Sequence, residues 1–273
     1  MTVISTIITR YCTAHASDSF LTEFGSGKIR ESQQSKLVRL PALRGAIGYW
    51  GLAWLDDGWN THQWLRDRAK STGGTDSPSA FAEDCATELT AELRRRTWAE
   101  PLHSGLGIHF TAYEFISGYW IPELFVLSRW TDATYREVLP DYRFRVTRET
   151  YATLKGLNPP EGRSPEFGQV DYRLKVHAAL HDTPLMFQFN NGDPALFNPI
   201  ANCVLNTFAQ LSDRGQLSDP SSIKTHLAIC RRPVEIVSKL LADFAAPATR
   251  LIGGKPHDLA VTSGGVYQST TGD

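Results

Sequence analysis

Thr2 stands directly behind Met1, and no carboxylate follows until Asp18. Small second residues permit removal of the initiator methionine, which leaves Thr2 with a hydroxyl and a free α-amine on one residue. That is a nucleophile carrying its own base. An α-amine with a pKa of about 7.7–8.0 is partly unprotonated near neutrality and can take the hydroxyl proton, and a neighbouring ammonium would lower its pKa further. Other hydrolytic chemistries find less support. Serine-hydrolase motifs and phosphate-binding glycine loops are absent, and IGGK is only a short turn. Of the eight histidines, His177 and His181 are spaced to share a helix face, but no carboxylate lies between them and no third ligand is evident. No metal and no organic cofactor is expected.

The elements that would position Thr2 begin with a hairpin. Residues 2–8 and 11–19 read as strands joined near Thr9 to Tyr11, and a turn centred on residue 10 sets Thr2 opposite Asp18. Directly opposed residues hold their Cβ atoms about 4.5–5.5 Å apart, so the carboxylate would lie near the first hydroxyl. The turn lacks the Gly, Asn or Asp that tight hairpins favour. KLVRLP (36–41), RGAIGYWG (44–51), GLGIHFTAYEF (105–115) and YWIPELFVLSRW (119–130) are further strands in an antiparallel meander. Helices are expected at 62–70 and from Ser77, with Ser77 as N-cap, Pro78 in the first turn and Phe81, Cys85, Leu89 and Leu93 on one face.

Residues 131–185 read as an insertion or elaboration, with a possible strand at YRFRVTRETY. Beyond it, PALFNPIANCVLNTFAQL is helical despite Pro199. PVEIVSKLLADFAA is a helix opened by Pro233, with Val234, Val237, Leu240, Leu241 and Phe244 turned inward. The C-terminal TRLIGGKPHDLAVTSGGVY returns to strands. This order is α+β, in one domain spanning residues 1–273.

With 28 basic and 29 acidic residues the chain has a net charge of −1, which offers no footprint for nucleic acid or an anionic membrane. No apolar run reaches the roughly 20 residues of a membrane span, and the N-terminus lacks a signal-peptide layout. A soluble, cytoplasmic protein is expected. Cys12, Cys85, Cys203 and Cys230 are scattered and read as buried free thiols.

Taken in order, these features resemble the β-type subunits of the proteasome and their bacterial homologues, the N-terminal-nucleophile (Ntn) hydrolases. Ala16-Ser17-Asp18-Ser19 matches the small-small-Asp-Ser end of the family's second strand, Lys36 the lysine opening its third, and Gly51-Leu52-Ala53 its Gly-hydrophobic-Ala step. The resemblance covers the N-terminal third and continues loosely through NNGDPALFNPIANCVLNTF and TRLIGGKPHDLAV. It implies a four-layer αββα sandwich of two antiparallel sheets between helical layers. It also implies roles: Thr2 Oγ attacks a peptide carbonyl, Lys36 keeps the amine's pKa low, Asp18 pairs with Lys36, and the Gly51 N–H donates to the oxyanion. Tyr49 falls at the floor of the substrate pocket, a place that a core aromatic fits equally well.

Length and the Met-Thr start look most like the self-assembling bacterial proteasome homologues, which implies a homo-oligomer of stacked rings acting on peptides or unfolded proteins. One departure stands out. Where active family members carry a Ser-Gly turn and an Asp-x-x-Ser-Gly-Gly element, this chain has Asn190-Asn191-Gly192-Asp193 and Thr249-Arg250-Leu251-Ile252-Gly253-Gly254. The glycines are kept and the polar partners are not. A catalytically silent scaffold subunit and an Ntn amidohydrolase of small amides therefore remain open beside the threonine peptidase.

Overall fold

The structure is a computed structural model that describes residues 3–22, 29–31, 33–55, 58–73, 77–96, 105–130, 138–146, 178, 186–191, 194–219, 221–246 and 252–271. The opening hairpin is present as β1 (Ile4–Ile8) and β2 (Thr13–Ser17). Its register differs by one residue from the expected one: Ile4 faces Ser17 and Ile8 faces Thr13, so paired numbers add to 21 rather than 20. The turn is the reason. Thr9 N–H donates to Cys12 O at 3.0 Å, leaving a loop of only Arg10 and Tyr11. The Thr9 hydroxyl accepts from the N–H groups of Tyr11 and Cys12, both at 3.1 Å, and so does the local work that Asn or Asp does in other turns.

The hairpin sits inside a five-stranded antiparallel sheet that also holds Phe187–Asn191 (β10), His257–Val261 (β11) and Tyr267–Gln268 (β12), in the order β10-β1-β2-β11-β12. A second five-stranded antiparallel sheet runs in sequence order through β5 (Leu37–Leu40), β6 (Gly45–Trp50), β7 (Gly107–Ile116), β8 (Tyr119–Trp130) and β9 (Val138–Val146). This is the expected meander. Ser117 and Gly118, both at positive φ, make the β7–β8 turn. β3 (Leu21–Thr22) and β4 (Ile29–Glu31) form a separate two-stranded ribbon. β9 begins before the expected YRFRVTRETY strand, whose residues from 147 onward lie outside the described residues, as do His177, His181 and most of 131–185.

Four helices accompany the sheets among the described residues. α1 (Thr61–Ser71) is capped by Asn60, and α2 (Pro78–Arg94) by Ser77, whose hydroxyl accepts from Ala80 N–H at 3.1 Å. Phe81, Cys85, Leu89 and Leu93 are buried as their spacing predicts, packing with Tyr49, Phe110 and Phe125 of the second sheet. α3 (Pro194–Asp213) and α4 (Ile223–Phe244) share a second core with Ile7 and Ala14 of the first sheet. α4 starts ten residues before Pro233 because Ser222 caps it, its side chain accepting from Lys224 N–H. Val234 and Val237 point inward as expected. Leu240 and Phe244 do not: they are 38% and 83% exposed, because α4 runs on past the strands that bury its middle. No helix among the described residues is long and apolar enough to cross a membrane.

The sheets meet through a polar chain whose hydrogen-bond directions follow from valence. Thr111 Oγ1 donates to Thr13 Oγ1 at 3.1 Å, which spends its single proton. His15 Nε2, 2.8 Å from Thr111 Oγ1, must then carry the hydrogen, leaving Nδ1 bare to accept from Thr6 Oγ1 at 2.9 Å. Thr6 in turn accepts from His109 Nδ1–H at 2.8 Å, and the bare His109 Nε2 receives the Asn191 amide. Every polar atom in this chain is matched only if both rings are neutral. Burial agrees, lowering the His15 pKa to about 3.

Candidate active site

Asp18, one residue past β2, is fully buried and fully engaged. Its Oδ1 accepts from Val3 N–H at 3.1 Å and from Lys36 Nζ at 2.9 Å, while Oδ2 accepts from Gly253 N–H at 3.3 Å. Three segments distant in sequence therefore converge on one carboxylate. Val3 O closes the clasp by accepting from Asp18 N–H. Gly253 O accepts from the N–H groups of both Ser19 and Phe20. A Cβ at residue 253 would lie 2.5 Å from the Phe20 ring, so any larger residue there would force that ring to shift.

Lys36 enters from the other sheet, where the residue before β5 is tied down by Tyr49 N–H donating to Lys36 O. Its side chain is 1% exposed. Burial lowers its pKa below the ordinary lysine value, and Asp18 opposes that shift through charge and a hydrogen bond. The pair is thus an acid and a base drawn from two sheets and set in a dry environment.

Gly51 follows β6 at φ +85°, and a Cβ there would lie 2.0 Å from Gly105 O. The backbone at this point requires glycine on both counts. Thr2 lies outside the described residues. Its neighbour Val3 is described: it is fully buried, with both its N–H and C=O spent on Asp18.

Of the expected site residues, the structure thus joins Asp18 and Lys36 directly and gives Gly51 a conformation of its own. Tyr49 is 1% exposed within the core against α1 and α2, the core-aromatic reading. The Asn191 amide reaches His109. Cys12, Cys85 and Cys230 are buried, but Cys203 is exposed on α3, contrary to its expected burial. In the sequence Gly253 stands only as a retained glycine; its contact with Asp18 becomes legible once β11 lies beside β2.

No protein-family model matches the sequence, and no curated protein matches it. Solved structures do. Anbu (ancestral beta-subunit) from Yersinia bercovieri aligns at 14% identity and a TM-score of 0.50, covering 98% of this chain and 86% of that one. An Anbu mutant from Hyphomicrobium sp. strain MC1 aligns at 11% identity and a TM-score of 0.48, covering 98% and 85%. The fold is proteasome-like. At such identity the first likeness speaks for the arrangement of strands and helices and for nothing beyond it.

Proposed function

We propose that the chain is a threonine-type Ntn peptidase, with Thr2 as nucleophile once Met1 is removed. The α-amine of Thr2 takes the hydroxyl proton, Lys36 holds that amine's pKa down, Asp18 fixes Lys36, and Gly51 N–H donates to the oxyanion. The acyl-enzyme on Thr2 is then released by water, so no cofactor enters the cycle. The observation that carries the reading is the buried Lys36–Asp18 contact at 2.9 Å, with the same carboxylate oxygen receiving the amide of Val3, the residue next to Thr2. A structural ion pair has no need to sit at that point of the chain. Buried pairs are costly to desolvate and are poor devices for stability alone.

The reading extends to the layering and the assembly. The two helix-backed cores and the polar chain between the sheets support a four-layer αββα sandwich. Self-assembly into a ring of identical subunits would keep such a site away from folded proteins, with peptides or unfolded chains as substrate.

Intact mass and active-site labelling test it together. The native protein should lack Met1, and a threonine-directed covalent inhibitor should form one adduct on wild type and none on Thr2→Ala. Retained Met1 or adducts on both proteins would refute the mechanism. No adduct on either would favour a silent scaffold subunit on the same fold.

A further inference from the structure

The polar chain between the sheets climbs toward the N-terminus. Thr13 stands opposite Ile8, His15 opposite Thr6 and Asn191 opposite Ile4, so the chain meets β1 at successive same-face levels two residues apart. Hydrogen bonds join these levels in order, from Thr13 through Thr111, His15, Thr6 and His109 to Asn191. The next residue of that parity is Thr2. Val3 limits how far away it is, since Val3 N–H is held on Asp18 at 3.1 Å and successive Cα atoms are about 3.8 Å apart.

His109 decides how the last link sits. Its ring is buried and meets the Trp50 ring edge-on, with centroids 5.2 Å apart. Trp50 in turn lies flush on the backbone at Gly107, where a Cβ would come within 2.0 Å of it. With Nδ1–H spent on Thr6, the bare His109 Nε2 takes an N–H from the Asn191 carboxamide. The carboxamide therefore has its nitrogen toward His109 and its oxygen away. Turned over, it would set two acceptors against each other with no hydrogen between them.

An α-amine that is to take the hydroxyl proton must keep its lone pair toward that hydroxyl, so its own N–H groups need an acceptor elsewhere. Lys36 has only donors to offer, and Asp18 already accepts from Val3, Lys36 and Gly253. The Asn191 oxygen is an uncharged acceptor one level from Thr2.

We infer that Asn191 holds the Thr2 amine, its carboxamide oxygen accepting an amine N–H, and that His109 is the positioning residue that turns that oxygen toward it. This rests on the reading of Thr2 as nucleophile. The test is the pKa of the Thr2 amine in the full-length protein lacking Met1, taken from the pH dependence of competitive acetylation by acetic anhydride and read on the N-terminal peptide by mass, which needs no hydrolysis. A hydrogen bond from an ammonium favours the charged form, so Asn191→Leu should lower this pKa by about half a unit to one unit. It should also cut kcat about tenfold with KM unchanged. His109→Phe keeps a ring against Trp50 but loses both nitrogens, and should lower the amine pKa in the same direction with Asn191 intact. Gln188→Leu changes a side chain of the same strand that donates to Ser5, and should leave the amine pKa as in wild type. Asp18, Lys36 and His257, the titratable groups described on the neighbouring segments, are the same in all four proteins, so the differences isolate the Asn191 contact. An amine pKa unchanged by Asn191→Leu would overturn the contact even where Thr2 proves to be the nucleophile. Hydrolysis that survives Thr2→Ala would overturn the peptidase reading, and a lowered amine pKa would then still uphold the contact. Retained Met1 would overturn both.

Discussion

Lys36 Nζ lies 2.9 Å from Asp18 Oδ1 although the two residues belong to different sheets, and neither side chain reaches solvent. The contact joins the end of β2 to the start of β5 and is reinforced by the amides of Val3 and Gly253. Removing either member leaves a buried charge without its partner, whereas removing both leaves no buried charge, only the Val3 and Gly253 N–H groups without their acceptor.

The single substitutions Lys36→Met and Asp18→Leu should therefore each cost about 3–5 kcal/mol of unfolding free energy, and the two together should cost less than their sum. Urea denaturation of the four proteins gives the coupling. On the proposed mechanism, peptide hydrolysis should fall at least about a hundredfold in all three variants, including the double variant. A double variant that keeps its hydrolytic rate would assign the pair to structure only.

Gly51 and Gly118 offer a matched comparison, since both have positive φ, +85° and +91°. At Gly118 a Cβ meets nothing within 4 Å, so Gly118→Ala should cost about 1–2 kcal/mol from backbone strain alone. At Gly51 the Cβ would strike Gly105 O, a backbone atom that cannot swing aside. Gly51→Ala should cost more than Gly118→Ala in urea midpoint and, on the proposed oxyanion role of the Gly51 N–H, should lower kcat rather than raise KM, since that role acts on charge that develops only in the transition state.

The local devices were readable in the sequence. Ser77 and Pro78 start α2 as their types demand, and the four-residue spacing of Phe81, Cys85, Leu89 and Leu93 finds the core. What escaped was set by partners remote in sequence. The hairpin slipped by one residue because the Thr9 hydroxyl stabilises a shorter loop than turn composition suggests. Phe244 looked buried because its helical face is apolar, yet where a helix outruns its sheet is decided by the sheet. Thr6, His15, His109 and Thr111 each looked ordinary in their strands, and only the stacking of strands more than ninety residues apart makes them one chain.

That chain fixes two tautomers. His15 should carry its hydrogen on Nε2 and His109 on Nδ1, which ¹⁵N chemical shifts of the imidazoles report directly. Thr6→Val removes the hydroxyl between the two rings, yet Thr111 still requires the hydrogen on His15 Nε2 and the Asn191 amide still requires a bare His109 Nε2, so both single tautomers should persist. Mixed tautomers in that variant would mean that the Thr6 hydroxyl, and not the outer partners, sets them.

The same burial gives an acid limb to stability. His15 is held neutral, with a folded pKa of about 3 against about 6.5 when unfolded, so between those values the unfolded chain binds the extra proton. Stability should fall as pH drops through that window, by at most about 1.4 kcal/mol per pH unit for this one group. His62 and His257, also lowered, add to the slope, so the test is a difference. Between pH 6 and pH 4 the unfolding free energy of His15→Gln should decline less steeply than that of wild type, even though the variant starts less stable at pH 7. Parallel declines would place the acid sensitivity elsewhere.

Thiol reactivity separates the one exposed cysteine from the three buried ones. Burial pushes the Cys12 and Cys85 thiols up to about 12 and raises Cys230 as well, so at pH 8 these remain protonated and sterically closed. Cys203 lies on the exposed face of α3 with no such shelter. A disulfide reagent should therefore titrate one thiol rapidly in the native protein and four after denaturation, and Cys203→Ser should remove the rapid phase entirely. A rapid phase that survives that substitution would show that one of the buried cores opens on the timescale of the assay, with the α4 core around Cys230 and Cys12 distinguished from the α2 core around Cys85 by which cysteine carries the label.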